Sequence, residues 1–355
     1  MTPASILLPY LLLVTFMSGS ITEFNAEKIQ AINASPYQGV AVPMIDAYDA
    51  GSIAVHDFPA AIKRIKEHSR KHVWPWVFIN RMVGFEDRQR AHSPSADKPY
   101  FRNIQGMALD EGSQPLRDFY QIWRLALSSA KEMGTPGIVV DLEPYNHHLA
   151  NRMAYVMSKT NMNKPELIAR FKQIGAHLCD AADEIYPGAV IWFLYTGVVS
   201  QVRGEGFFER EYRPDTYIVF GMLEHAAKKN SRLILVSGGE VSLGYCNKDL
   251  QDLKTRITRR NQQFEPLLTQ YLQLKLGGTI APWHDRSIRK GWMLKKEYAA
   301  CANSTLDTAA SFRPLLKELL ASYSYVWVYA AGAARYNPYD KPTAEVYNKA
   351  FAGLP

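Results

Sequence analysis

The chain has 355 residues, 47% of them hydrophobic, so it can bury a large core, as one large α/β barrel or as two ordinary domains. Its formal charge of +7 favours anionic partners in a general way. The basic residues, however, are spread over helical stretches such as Lys63-Arg64-Ile65-Lys66 and Arg256-Ile257-Thr258-Arg259-Arg260, whose natural reading is a solvated face, and no basic and aromatic nucleic-acid module stands out.

Cys179, Cys246 and Cys301 are odd in number and far apart, which gives neither a disulfide framework nor a zinc motif; burial as small apolar residues is expected. The apolar run 6–17 followed by Ser18-Gly19-Ser20 has features of a signal-peptide core, but no Lys or Arg precedes it. It leads straight into a helical pattern at 25–33, and is read as a first strand. With Pro9 in it, the run is too short for a membrane span.

In chain order, apolar and β-branched runs bounded by Gly, Pro and polar residues recur, each followed by material able to form a helix. The first predicted strand covers 11–17 and the second 39–45, which exits into Asp46-Ala47-Tyr48-Asp49. A helix capped by Asp57, with Pro59 in its first turn, leads to a third strand at 72–79 that leaves Asn80 and Arg81 at its end. Residues 82–114, rich in charge, Pro and Ser, are too long for an ordinary connection and are read as an insertion over the site. Pro115 opens a helix with Leu116, Phe119, Tyr120, Trp123 and Leu127 at helical spacing, stopped by Gly134 and Pro136.

The fourth strand is Gly137-Ile138-Val139-Val140, ending in Asp141-Leu142-Glu143-Pro144-Tyr145-Asn146-His147-His148. A helix at 164–185 precedes a fifth strand at 190–195, which leaves Tyr195 and Thr196 outward, and 198–213 reads as another loop on the same side. Residues 214–230 have both strand and helix character and are assigned to a helix. The sixth strand, 232–236, breaks at Ser237-Gly238-Gly239-Glu240, before a helix over 250–274. The seventh, 279–282, ends in Trp283-His284-Asp285-Arg286; the eighth, 325–329, exits towards Gly332, Arg335, Tyr336 and Asn337.

Eight alternating units predict a single-domain (β/α)8 TIM barrel over residues 1–355 with long β→α loops. An open doubly wound sheet is the competing fold, and no Gly-rich phosphate turn follows an early strand, so no nucleotide cofactor is expected. In a barrel all strand exits share one mouth. The candidates there are Asp46, Tyr48, Asn80, Arg81, Asp141, Glu143, Tyr145, Tyr195, Glu240, Trp283, His284, Asp285, Trp327, Tyr329 and Arg335. Asp141 and Glu143 share a strand face, with α-carbons roughly 6.6 Å apart. Acids, amides and aromatic rings without a metal cluster suit glycan chemistry, in which one carboxyl protonates the leaving oxygen and a second group stabilises or attacks the oxocarbenium-like centre. His147-His148 lacks further ligands and is read as a polar loop, with no metal.

On Asp141-Leu142-Glu143-Pro144, supported by Trp283 and Trp327, the chain resembles glycoside hydrolases of the (β/α)8 type. The fourth strand of the chitinase-like family reads D-G-x-D-x-D-x-E; Gly137, Asp141 and Glu143 match it, while Pro136 and Val139 stand where two further acids belong. That likeness implies Glu143 as the acid and Asp141 as the group orienting an N-acetyl nucleophile. The large retaining clan ends its fourth strand in Asn-Glu and its seventh in Glu; Glu143-Pro144 fits, with Leu142 in place of Asn and Asp285 in place of the second Glu.

The expectation is a glycosidase with Glu143 as general acid/base and Glu240, Asp285 or Asp141 as second carboxylate, where Glu240 can equally be a solvated loop acid and Asp285 an ion-pair partner of Arg286 or Arg289. Trp283 and Trp327 are candidate sugar platforms, with core packing the other role for Trp327. Arg81 and Arg335 are candidates for binding a carboxylate or sulfate on the substrate, with a salt bridge at the barrel mouth an equally common role for such arginines. A non-catalytic carbohydrate-binding barrel and a polysaccharide lyase are the alternatives. Glycan degradation would imply a periplasmic or secreted protein.

Overall fold

The computed structural model describes residues 9–47, 53–85, 90–92, 99–101, 104–143, 153–196, 215–245, 247–282, 305–306, 308–330 and 336–354. Strands β1 (Tyr10–Val14), β2 (Gly39–Pro43), β3 (His72–Phe78), β8 (Gly137–Asp141), β9 (Val190–Phe193), β10 (Ile234–Ser237), β11 (Leu274–Ile280) and β12 (Tyr325–Tyr329) close into a parallel barrel in the order β1-β12-β11-β10-β9-β8-β3-β2. The predicted (β/α)8 barrel is therefore the fold. The N-terminal run is its first strand: Leu12 pairs with Gly39 on one side and with Trp327 on the other. Between β3 and β8, the 82–114 stretch contains two antiparallel ladders, β4 (Val83–Phe85) with β7 (Ile104–Met107) and β5 (Arg90–His92) with β6 (Pro99–Phe101).

The helices are α1 (Ala26–Asn33), α2 (Phe58–His68), α3 (Gln114–Met133), α4 (Met153–Thr160), α5 (Lys164–Ile185), α6 (Thr216–Lys229), α7 (Leu250–Gln270), α8 (Ala309–Ser322) and α9 (Lys341–Phe351). Local chemistry sets their ends. Asn25, Asp57 and Asn163 accept the backbone N–H groups of Lys28, Ala60 and Glu166 at 3.0 to 3.1 Å, and Gly134 ends α3 at φ 69°. The ambiguous stretch before Asn230 is helical, as expected, because Ile218, Val219, Met222, Leu223 and Ala226 bury one face of α6. Three expectations need correction, the first being that β1 ends at Val14 rather than at 17, with Phe16–Ser18 in a 3-10 turn. Helix α7 stops at Gln270 rather than at 274, and the seventh strand begins five residues before the predicted 279, since Leu274 pairs with Leu235 and the chain is already extended there. Helix α4 has no counterpart in the sequence reading.

Strand alternation sorts the core into two compartments. Ile138 and Val140 face the helix layer, where they join Leu116, Phe171 and Leu178. Val139 faces inward with Leu12, Trp74, Trp76, Trp192, Val236 and Trp327. Trp74, Trp76, Trp192 and Trp327 are almost completely buried, so the barrel is a packed stack with no pore. At its amino-terminal end, Tyr10 takes the Trp74 indole N–H at 2.8 Å and stacks on His72 with ring centres 5.7 Å apart. Among the described residues no helix is long and apolar enough to cross a membrane. Cys179 is a buried free thiol, as expected of a small apolar residue, and burial first, then Asp183 and Asp180, push its pKa up to about 12.

Helices α5 and α6 meet at two glycines. A β-carbon on Gly175 would overlap the carbonyl of Ile218, and one on Gly221 that of Lys172. Gly221→Ala is therefore expected to lower unfolding stability in urea by about 1–3 kcal/mol, the usual cost of overpacking. Lys228→Ala, at an exposed position of the same helix, should stay within about 0.5 kcal/mol of wild type.

Candidate active site

Because the barrel is parallel throughout, the carboxyl ends of its strands gather at one mouth. Asp141 is the last residue of β8 and faces inward in register with Phe78. Its carboxylate is 1% exposed, and Oδ1 accepts the backbone N–H of Glu143 at 2.8 Å. The acid thus folds the strand end into a turn that fixes where Glu143 leaves the barrel. Leu142 points the other way, into the helix-side core, and Glu143 is half-buried.

Two strands away, β10 ends at Ser237 and the chain turns through Gly238 and Gly239 to Glu240. A β-carbon on Gly238 would come within 2.6 Å of the Phe193 carbonyl, and Gly239 adopts φ 79°, so both positions need glycine. The turn is bonded on several sides. Gly238 N donates to Phe193 O at 2.7 Å, Glu240 N to Leu194 O at 3.2 Å, and the Trp327 indole N–H to Gly238 O at 3.0 Å.

Residues Glu240–Gly244 then form one π-helical turn, held by Leu243 N on Gly239 O at 2.9 Å and by Ala281 N on Gly244 O at 3.0 Å. Tyr245 follows the turn in extended conformation, and its phenol donates a hydrogen bond to Glu240 Oε1 at the start of the same turn. Arg256 holds the Tyr245 carbonyl at 2.8 Å. Burial of the phenol, then the nearby Glu240, Tyr329 and Glu143, push the Tyr245 pKa well above the ordinary tyrosine value. Glu143, Glu240 and Tyr329 therefore lie within electrostatic reach of the Tyr245 hydroxyl.

Of the remaining candidates, Asp46 is exposed just beyond β2, and Tyr195 and Tyr329 are half-buried at the ends of β9 and β12. Asn80 and Arg81 occupy the 3-10 turn after β3; the Asn80 amide donates to Ala47 O, while its buried Oδ1 has no hydrogen-bond partner among the described residues. Trp327 is 1% exposed, in the interior stack with its indole N–H on Gly238 O, which is the packing role rather than an open sugar platform. Tyr48, Tyr145, Trp283, His284, Asp285, Arg335 and the His147-His148 pair lie outside the described residues. Among the described residues no cluster of His, Cys, Asp or Glu could hold a metal ion.

The sequence reading missed Tyr245 and Arg260. Tyr245 is five residues from Glu240, a spacing that neither an α-helix nor a strand brings together. Arg260 was counted with a solvated basic face, yet it is 2% exposed on the buried stripe Leu253, Ile257, Arg260, Phe264 and Leu267 of α7. That helical spacing was a signal available in the sequence.

No protein-family model matches the chain, and no curated protein does. Solved structures do match. A broad-specificity endoglucanase of the GH5-4 type from an uncultured bacterium superposes with a TM-score of 0.50 at 11% identity, over 98% of this chain and 94% of that one. A glycoside hydrolase family 5 enzyme from Prevotella bryantii B14 also gives 0.50, at 10% identity over 97% and 96%. A 3-keto-D-glucoside 4-epimerase from E. coli gives 0.42 at 15% identity over 97% and 98%. At these identities the two likenesses at 0.50 show the barrel fold alone.

The geometry around Tyr245 is directly testable by alkaline titration of near-ultraviolet absorbance. The difference between wild type and Tyr245→Phe should contain no tyrosine ionising near pH 10, the ordinary value. The signal should appear only well above it, because the folded-state pKa is raised. Stability from this group is then complete below about pH 10 and is lost as the pH rises further.

Proposed function

We propose that the protein is a glycosidase that hydrolyses an oligo- or polysaccharide at the barrel mouth, with Glu143 as general acid/base and Glu240 as the second carboxylate. The observation that carries this reading is the Tyr245 phenol, bonded to Glu240 and close enough to Glu143 for both acids to raise its pKa. Glu143 follows the fourth barrel strand and Glu240 the sixth. With neighbouring strands about 4.8 Å apart, their backbones are roughly 10 Å from one another, which leaves room for a glycosidic bond between two inward-reaching carboxyls.

The roles follow from the surroundings. A phenol that keeps its proton is a hydrogen-bond donor, and donation to a carboxylate favours its charged form. Glu240, which accepts the Tyr245 phenol, takes the role of attacking the anomeric carbon or activating water, while Glu143 delivers a proton to the leaving oxygen. Asp141, committed to the Glu143 backbone, orients that residue and is not the second carboxylate in this scheme. The half-buried Tyr329 is suited to hold a sugar face. A lyase with tyrosine as its base is less well supported, because the only phenol bonded to Glu240 among the described residues resists losing its proton. A polymeric substrate would put the enzyme in the periplasm or outside the cell.

A panel of polysaccharides, with products analysed by mass spectrometry, identifies the substrate. On that substrate Glu143→Gln and Glu240→Gln should each lower kcat by about 10²–10⁴-fold with the fold intact by circular dichroism. Tyr245→Phe should lower it roughly 10- to 150-fold, the equivalent of a hydrogen bond to a charged group. Turnover at the wild-type rate by Glu143→Gln would contradict the assignment of the acid.

A further inference from the structure

Beneath the turn that carries Glu240 lies a buried cation. The Arg260 guanidinium donates to the carbonyls of Ser237 and Gly277 at 2.6 and 2.8 Å and to Ser237 Oγ at 3.3 Å, joining the end of β10 to the middle of β11. Its Cζ lies 5.2 Å from the centre of the Phe264 ring and 5.5 Å from that of Tyr323, one aromatic from its own helix and one from the end of α8. Among the described residues it has no carboxylate partner. Taking a guanidinium out of water without a counter-ion is costly, and a neutral side chain on the stripe of α7 would pack more cheaply against the barrel. Its position suggests what the charge is for. A β-carbon on Gly239 would meet Arg260 Cζ at 3.1 Å, so the guanidinium sits directly behind the residue that turns the chain into Glu240.

We infer that Arg260 is a positioning residue for Glu240: its planar fork clamps the Ser237 and Gly277 carbonyls and sets the turn from which Glu240 and Tyr245 project. This rests on the reading of Glu240 as the second carboxylate, but its first consequence, the placement of Tyr245 on Glu240, does not depend on any activity. The fork geometry matters as much as the charge. A lysine ammonium in the same place is a point charge on a flexible stem and does not reproduce N–H donors held in one plane on two separate nitrogens. The upper surface of the turn is tied independently by Trp327, Phe193 and Leu194, so loss of Arg260 should shift the turn without dismantling the barrel.

The experiment compares wild type with Arg260→Ala, and with Arg260→Lys should the alanine protein not fold, using two readouts. The first is the alkaline absorbance difference between each protein and its Tyr245→Phe partner, measured well below the melting temperature. The Tyr245 midpoint should fall towards the ordinary tyrosine value in the Arg260 variant. The second is steady-state turnover on the substrate found in the panel: kcat should drop at least roughly tenfold with KM nearly unchanged, and millimolar guanidinium should restore part of it. An unchanged Tyr245 midpoint overturns the inference, whatever happens to turnover. A lowered midpoint in a protein whose wild type cleaves no glycan supports the positioning role and removes the glycosidase reading. A lowered midpoint with unaltered kcat overturns the claim that positioning serves the reaction.

Discussion

Closure of the parallel sheet is the constraint from which the rest follows. Once β1 pairs with both β2 and β12, the barrel sheet has no edge, and every side chain facing into the barrel must be accommodated within one narrow stack. Four tryptophans take up much of that stack. Polar groups with work to do are thereby pushed to the strand exits, where Asp141, Glu240 and Tyr329 lie. The same parallel arrangement turns residues a hundred positions apart in sequence into neighbours.

The exits after β8 and β10 are built in different ways. After β8 a buried aspartate folds back onto the chain two residues on, and Glu143 is presented by a short, locally bonded turn. After β10, two glycines let the backbone pass close to Phe193 O and then to the Arg260 guanidinium, before a π turn sets Tyr245 against Glu240. A carboxylate receiving a phenol proton donor and a second carboxyl on a separate support form an asymmetric pair. Asymmetry of that kind is what acid/base division of labour between two like groups requires.

Much of the architecture was legible because it depends on patterns one element long. The apolar run before Asp141, the cap at Asp57 and Gly134 after α3 each act through neighbours in sequence, and the strand count followed from runs and stops of this kind. The boundary between α7 and β11 was misplaced because Tyr271 to Leu274 carries no Gly or Pro to mark it. Glu143 and Asp141 could be singled out because two acids close an apolar run, but the expected shared strand face does not extend to Glu143, since β8 ends at Asp141 and the chain turns there. The link between Glu240 and Tyr245 could not, since it depends on a rare helical turn. Arg260 was hidden by its company: beside Arg256 and Arg259 it resembles a solvated charge, and only the register of Leu253, Ile257 and Phe264 reveals that it points inward. Trp327 belonged to either of two roles in the sequence, and the closed barrel gives it the packing one.

The central claim, that two carboxyls at this mouth add water across a glycosidic bond, is tested most directly by running the cleavage in oxygen-18 water and weighing the products. Hydrolysis predicts one heavy oxygen at a single new end of each product pair and no unsaturated sugar. Products lacking the label and carrying an unsaturated end, or no cleavage of any glycan by a protein that nevertheless binds one, would contradict it.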